Sequence, residues 1–342
     1  MVLFHERQGE KPRAYGVEYL RGQAMYSADP RHSANNTGES RRALASREVI
    51  VSGGAFNTPQ ILMLSGIGSR EELEELEIPV VVDLPAVGNY MQDNYEGGVT
   101  VHANSVWEGS PYATCTFDPQ LNGTDPCLAE WLEGDRGPYA QGGTPLYMYF
   151  RSSVSKNDDA DLFFFGAPDG EFRPETPADP RSRATFPAGL VTGRQIQASS
   201  GPWQRSRHDK APRDTPGIQF NYFGEQGERD LQALAEGAQF ALGVFDSLGA
   251  PYTPFEVLEP VPGVDLKQSL RGYAFSHHVT STCRMGPKDD PEYCVDSEFR
   301  VNGVDGLRVV DASIFPRTPG GFPVAPTFVI SQKAFRSVES GW

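Results

Sequence analysis

The 342 residues contain no G-x-G-x-x-G. After Gly66-Ile67-Gly68 the position that would need glycine is Glu71, so the usual fingerprint for a dinucleotide pyrophosphate is absent from this sequence. Cysteine is scarce, with four residues and no C-x-x-C, which excludes the common zinc spacings and a thioredoxin-like redox motif. No apolar run approaches the roughly 18 residues of a spanning helix. Positive charge is also in deficit. Lys+Arg number 30 against 45 Asp+Glu, giving a formal charge of −15 and a pI near 4.9. Such an acidic surface repels phosphate backbones and anionic lipid, which argues against nucleic-acid and membrane partners.

Hydrophobic residues make up 38 % and aromatics 11 %, enough for a buried core in one large or two interleaved domains. Gly 36 and Pro 28 predict many turns and few long helices. Met1-Val2-Leu3-Phe4 opens as a strand without lead-in, Tyr15, Val17 and Tyr19 alternate as a second, and Arg47–Val51 reads as a third. A chain opening this way is expected to begin inside a domain. Cys115 and Cys127 bracket one polar loop and Cys283 and Cys294 another, so each pair is either a local disulfide or two reduced thiols. Sequons stand at Asn35-Asn36-Thr37 and Asn122-Gly123-Thr124. Secreted and cytoplasmic locations both remain open.

Three clusters carry chemistry. In the first, strand Arg47–Val51 runs through Ser52, Gly53, Gly54 and Ala55 to Thr58, an expected N-cap, with Pro59 at the first helical position. This is either an anion site at a helix start or an ordinary tight β-to-α connection. The second runs from His277 to Gly286. Adjacent histidines in extended backbone point to opposite sides, which predicts that the pair does not chelate one metal. One of them acts as a general base, or both are structural. In the third, Val309-Val310-Asp311-Ala312-Ser313 leads through Pro316, Pro319, Gly320, Gly321 and Pro323 to a helix expected from about residue 327 to 338. Asp311 is a cofactor-edge residue or a turn cap. Elsewhere, 230–248 has the best helical period, with Leu231, Leu234, Ala238, Ala241 and Val244 on or near one face, and 178–215 reads as a long loop. Tyr147, Tyr149 and Phe150 are sheet core or pocket wall.

Taken together and in this order, the clusters resemble the glucose–methanol–choline (GMC) oxidoreductases. Gly54–Gly68 is similar to the second signature of that family at every position. Val87-Gly88-Asn89-Tyr90-Met91-Gln92-Asp93-Asn94 resembles its V-G-x-N-L-Q-D-H segment, departing at Tyr90, Met91 and Asn94. His277–Gly286 is similar to its H-x-x-G-T-C-x-M-G stretch, with Ser281 where glycine is usual. Residues 301–313 resemble its C-terminal flavin-domain motif.

The resemblance implies a mixed α/β fold. Part of a doubly wound FAD-binding domain would occupy 1–99, an antiparallel-sheet substrate-binding domain 100–290, and the closing flavin-domain segment 291–342. It implies FAD as cofactor, a small-molecule alcohol as substrate, and oxidation of a CH–OH group with His278 as base. Gly53, Gly54, Ala55, Thr58, Asp311 and Ala312 would line the cofactor site, and Phe322, Pro323 and Val324 would lie near the isoalloxazine. Many members place a second His or Asn in the final turn. Phe322 occupies that position here and offers neither donor nor acceptor, leaving His278 to act alone or with Arg317. A flavin-bearing lyase or an inactive fragment acting as a binding module are the alternative outcomes. The missing glycine motif, acidic ribose-binding residue and first signature are expected upstream of residue 1, so this chain alone is expected to bind FAD poorly.

Overall fold

The computed structural model describes residues 1–5, 8–102, 115, 125–134, 136–140, 146–168, 183–190, 213–224 and 227–341. The chain opens with β1 (Val2–His5), β2 (Arg13–Arg21), β3 (Glu39–Leu44) and β4 (Val49–Val51), then α1 (Gly54–Leu64), β5 (Ile67–Gly68), α2 (Arg70–Glu75) and β6 (Val82–Asp83). Next come β7 (Glu96–His102), α3 (Pro126–Gly134), β8 (Leu146–Phe150), β9 (Leu162–Pro168), β10 (Arg183–Leu190), α4 (Gly227–Ser247), β11 (Glu256–Glu259) and α5 (Leu266–Tyr273). It closes with β12 (Leu307–Val309) and α6 (Val324–Ser340). No helix among the described residues is long and apolar enough to cross a membrane. The chain divides into two units: residues 1–93, 193–224 and 277–342, and residues 94–192 and 225–276.

In the first unit β1, β2 and β3 form an antiparallel meander, while β4 pairs in parallel with β12, Val49 opposite Leu307 and Val51 opposite Val309. A parallel pair drawn from residues so far apart in sequence is the fragment of doubly wound architecture that the sequence implies. The two-residue alternation is visible in β4, where Val49 and Val51 are buried and Ile50 is exposed. Leu62, Met63, Ile67, Leu73, Val87, Phe299, Leu307 and Val309 form its core together with Cys283 and Cys294. Each such large side chain contributes about 1.5–3 kcal/mol on burial.

The second unit is built on a five-stranded antiparallel sheet of order β11-β7-β10-β9-β8. The helix expected over 230–248 is α4, and Leu231, Leu234, Ala238, Ala241 and Phe245 form its buried face against β7, β9 and β10. Tyr147 stacks on Phe163 and Tyr149 tilts against it, yet they are 50 % and 65 % exposed, so they are not sheet core. The segment 178–215 is not one loop, because 183–190 is the central strand β10. Pro187 and Gly189, both poor strand formers, concealed it; residues 178–182 and 191–212 lie outside the described residues. Cys115–Cys127 and Cys283–Cys294 are both disulfides. Asn122 lies outside the described residues, and Asn35 is exposed.

Candidate active site

The turn from β4 into α1 is held by one carboxylate from far along the chain. Asp311 caps the short 3-10 turn Ala312–Ile314, its Oδ1 accepting the Ser313 N–H at 2.7 Å. Its Oδ2 accepts the Gly54 N–H at 3.0 Å and the Thr58 hydroxyl at 2.5 Å. Thr58 Oγ1 in turn accepts the Gly53 N–H at 2.9 Å. The third cluster is thereby bonded to the first, and Asp311 is cap and turn lock at once.

One sequence expectation is corrected here. Thr58 is not the N-cap and Pro59 is not the first helical residue: α1 starts at Gly54 with Gly53 as cap, and Pro59 lies inside it. Proline lacks the N–H that would bond the carbonyl four residues earlier, that of Ala55. The Thr282 hydroxyl donates to the Ala55 oxygen instead, at 2.6 Å, so the helix runs past its proline without an orphaned acceptor. Gly54 sits at φ +81°, where side chains are strained, and a Cβ there would meet nothing within 4 Å. Its backbone is open to close approach.

The histidine block is held along both sides by backbone bonds. Thr280 N–H donates to the Gln92 carbonyl at 2.8 Å, and Gln92 N–H returns a bond at 3.1 Å. Ser281, Cys283 and Met285 donate to Ala312, Ser313 and Ile314. His278 is buried at 8 % exposure while His277 is exposed. Their rings do not diverge as extended backbone predicts: the centroids lie 4.2 Å apart. The segment has no regular strand alternation at these two residues, which removes the premise. The Phe322 ring lies 5.1 Å from that of His278. Pro323 caps α6 and Val324 opens it at 62 % exposure. Arg317 is exposed, whereas its neighbour Thr318 is buried.

The departure at Tyr90 has a local cause. Its ring lies under the Arg284 guanidinium at 3.5 Å, with Tyr293 on Arg284 at 4.6 Å. Arg284 also donates to the Glu292 carbonyl, and the Tyr90 hydroxyl to the Glu292 carboxylate. Tyr293 packs where a Cβ on Gly286 would stand, which is why that glycine closes the motif. Met91 packs with Ala55 and Val279.

A cavity of about 640 Å³ adjoins the glycine turn, within the size range of small-molecule sites. Val49, Val51, Ser52 and Gly53 form one wall and Val17 and Tyr19 another, with Tyr26, Gln60 and Arg213 as polar groups. Burial pushes the Tyr26 phenol up, keeping it a neutral donor. The β2 side of this cavity was not signalled by any motif. The open backbone at Gly54 and the neighbouring cavity leave room for a small-molecule group beside the glycine turn.

Two family models match, both described as GMC oxidoreductase, one over residues 1–96 and one over 204–331. The chain belongs to the GMC oxidoreductase family. It is 32 % identical over 342 residues to the mitochondrial choline dehydrogenase of Mus musculus, covering 95 % of this chain and 50 % of that protein. Formate oxidase has the same fold, with a TM-score of 0.74 at 21 % identity over 96 % of this chain and 58 % of that one. The pyridoxine 4-oxidase of Mesorbium loti superposes with a TM-score of 0.66 at 21 % identity, over 97 % and 56 %. The chain spans about half the length of the curated relatives it matches. The GMC assignment explains why three weak local patterns converge, since all three meet in one unit.

Proposed function

We propose that this chain carries the base and part of the cofactor wall of an FAD-dependent oxidoreductase acting on a CH–OH group of a small alcohol. The observation that carries the reading is His278, buried in a histidine block joined to the Asp311 turn and fixed beside Phe322. Bound FAD supplies the hydride acceptor. The backbone of Gly53, Gly54 and Ala55, with Thr58, Asp311 and Ala312 behind it, would hold the cofactor, and Phe322 and Pro323 would stand at its reactive end. His278 takes the hydroxyl proton, because an alkoxide carbon is a far better hydride donor than an alcohol carbon. A neutral imidazole has one ring nitrogen with a free lone pair, which is the acceptor this step needs. Phe322 packs its ring against His278 and, as a phenylalanine, offers no hydrogen bond of its own to the substrate oxygen.

The test is anaerobic mixing of the FAD-loaded full-length protein with choline, pyridoxine and benzyl alcohol. The expected result is bleaching of the flavin by at least one of them, slowed about 10²–10⁴-fold in His278→Ala. A flavin that no alcohol bleaches, or a His278→Ala protein reduced at the parental rate, sinks the reading.

A further inference from the structure

The V-G-x-N-L-Q-D-H-like segment has no part in the chemistry above, yet two of its side chains reach both halves of the site. Asp93 is buried, and its Oδ1 accepts the backbone N–H of His278 at 3.1 Å. Its Oδ2 accepts the Tyr222 hydroxyl at 3.2 Å. Gln92, also buried, accepts the backbone N–H of Thr318 through Oε1 at 2.9 Å. The two receiving segments are joined directly as well, since the Thr280 and Thr318 hydroxyls lie 2.8 Å apart. Thr318 is four residues before Phe322, and Thr280 two after His278. We propose that Gln92 and Asp93 are positioning residues: a two-residue clamp that fixes the His278 segment against the Thr318–Phe322 turn and so sets where the base stands. The inference rests on the oxidoreductase reading for its consequence, though not for its geometry.

The physical reason is that neither clamped segment is regular secondary structure. Backbone from 276 to 279 and from 315 to 323 has no continuous ladder to fix its path. A buried carboxylate accepting a backbone N–H makes a charge-assisted bond, stronger than a neutral one. A buried amide oxygen placed one residue earlier on the chain gives a second anchor in a fixed relation to the first. The reciprocal backbone pair Gln92–Thr280 sets that relation. Tyr222 donates to the second carboxylate oxygen from a half-buried position, so swinging Asp93 away breaks that bond as well as the one to His278.

Two measurements on the FAD-loaded full-length protein test this. The first is amide hydrogen exchange resolved to peptides over 277–280, 316–319 and α1. Asp93→Ala is expected to accelerate exchange in 277–280 and Gln92→Ala in 316–319, each leaving α1 at parental protection. The second is anaerobic flavin reduction by the alcohol identified in the panel above. Asp93→Ala is expected to lower the limiting rate about 10²-fold, the scale of a misplaced catalytic group, at unchanged flavin content and substrate affinity. Asp93→Asn keeps an oxygen acceptor for the His278 N–H and is expected to recover most of that rate. Parental exchange in both segments overturns the clamp, as does Asp93→Asn reducing no faster than Asp93→Ala. His278→Ala is the separating control: if it reduces flavin normally, the oxidoreductase reading falls while the exchange result still decides the clamp.

Discussion

Thr282 shows how one side chain reconciles a residue with the element that contains it. Pro59 sits in α1 where its missing N–H would orphan the Ala55 carbonyl, and the Thr282 hydroxyl, buried at 2 % exposure, takes that carbonyl. Leaving a buried acceptor unsatisfied costs about 1–3 kcal/mol. Thr282→Val keeps the shape and removes the donor, so it is expected to lower unfolding free energy by that amount in a denaturant titration, while Thr282→Ser stays near the parent. A valine variant as stable as the parent would mean that water or another donor serves Ala55 equally well. The sequence displays Thr282 in a recognisable motif, but nothing local reveals this task, because the partner lies 227 residues away. The N-cap expected at Thr58 failed for the same reason. Its hydroxyl is occupied by Asp311, a competitor that a local reading cannot see.

At the scale of elements, the parallel pair β4–β12 is tied to α6 by Arg308. This arginine is 4 % exposed and donates through Nε to Glu48 Oε2 at 2.8 Å and through Nη1 to Ser337 Oγ at 3.1 Å and to the Glu298 carbonyl. It thus joins the residue before β4, the middle of β12, and the last turns of α6. Glu48 Oε1 is buried with no hydrogen-bond partner, so the pair is not a fully satisfied one. Removing one member of a buried pair strands the other charge and costs about 3–5 kcal/mol, whereas replacing both by apolar residues of similar volume is close to neutral. Arg308→Ala is therefore expected to be severely destabilising in thermal unfolding, and Arg308→Met combined with Glu48→Leu much less so. Equal losses in the single and double variants would show that packing, not the stranded charge, sets the cost. Strand β4 was legible as a short apolar run, as was α4 from its period, because those signals are carried by residues close in sequence. The ionic tie was not, since Glu48 and Arg308 are 260 residues apart.

For the whole molecule, the mixed α/β class and the family could be read from short blocks whose order and spacing are specific. The strand hidden in 183–190 could not, because long-range pairing leaves little mark on composition. Titration of the second unit is a further property that appears only once the chain is folded. Asp230, in the first turn of α4, is 5 % exposed, and its pKa is raised from 3.8 to about 6. Desolvation is the main cause; the charge of Arg229 opposes it and that of Asp161 adds to it. Asp161 is itself committed to the Ser152 N–H and hydroxyl at 2.7 and 2.6 Å. A carboxyl whose folded pKa exceeds its unfolded one binds its proton more tightly in the native state. Its neutral form is fully accommodated below pH 3.8, and stability is lost as pH rises through about 6. The penalty at neutral pH is about 3 kcal/mol. Asp230→Asn preserves shape and removes the charge. The variant is expected to unfold at a higher temperature than the parent at pH 7 and at nearly the same temperature at pH 4, the two curves separating between those values. Carboxylates that ordinary ion pairs hold low, such as Asp29 beside Arg31, act in the opposite direction in parent and variant alike and cancel from the difference. Parallel curves across that window would mean that Asp230 reaches enough water to ionise normally in the folded chain.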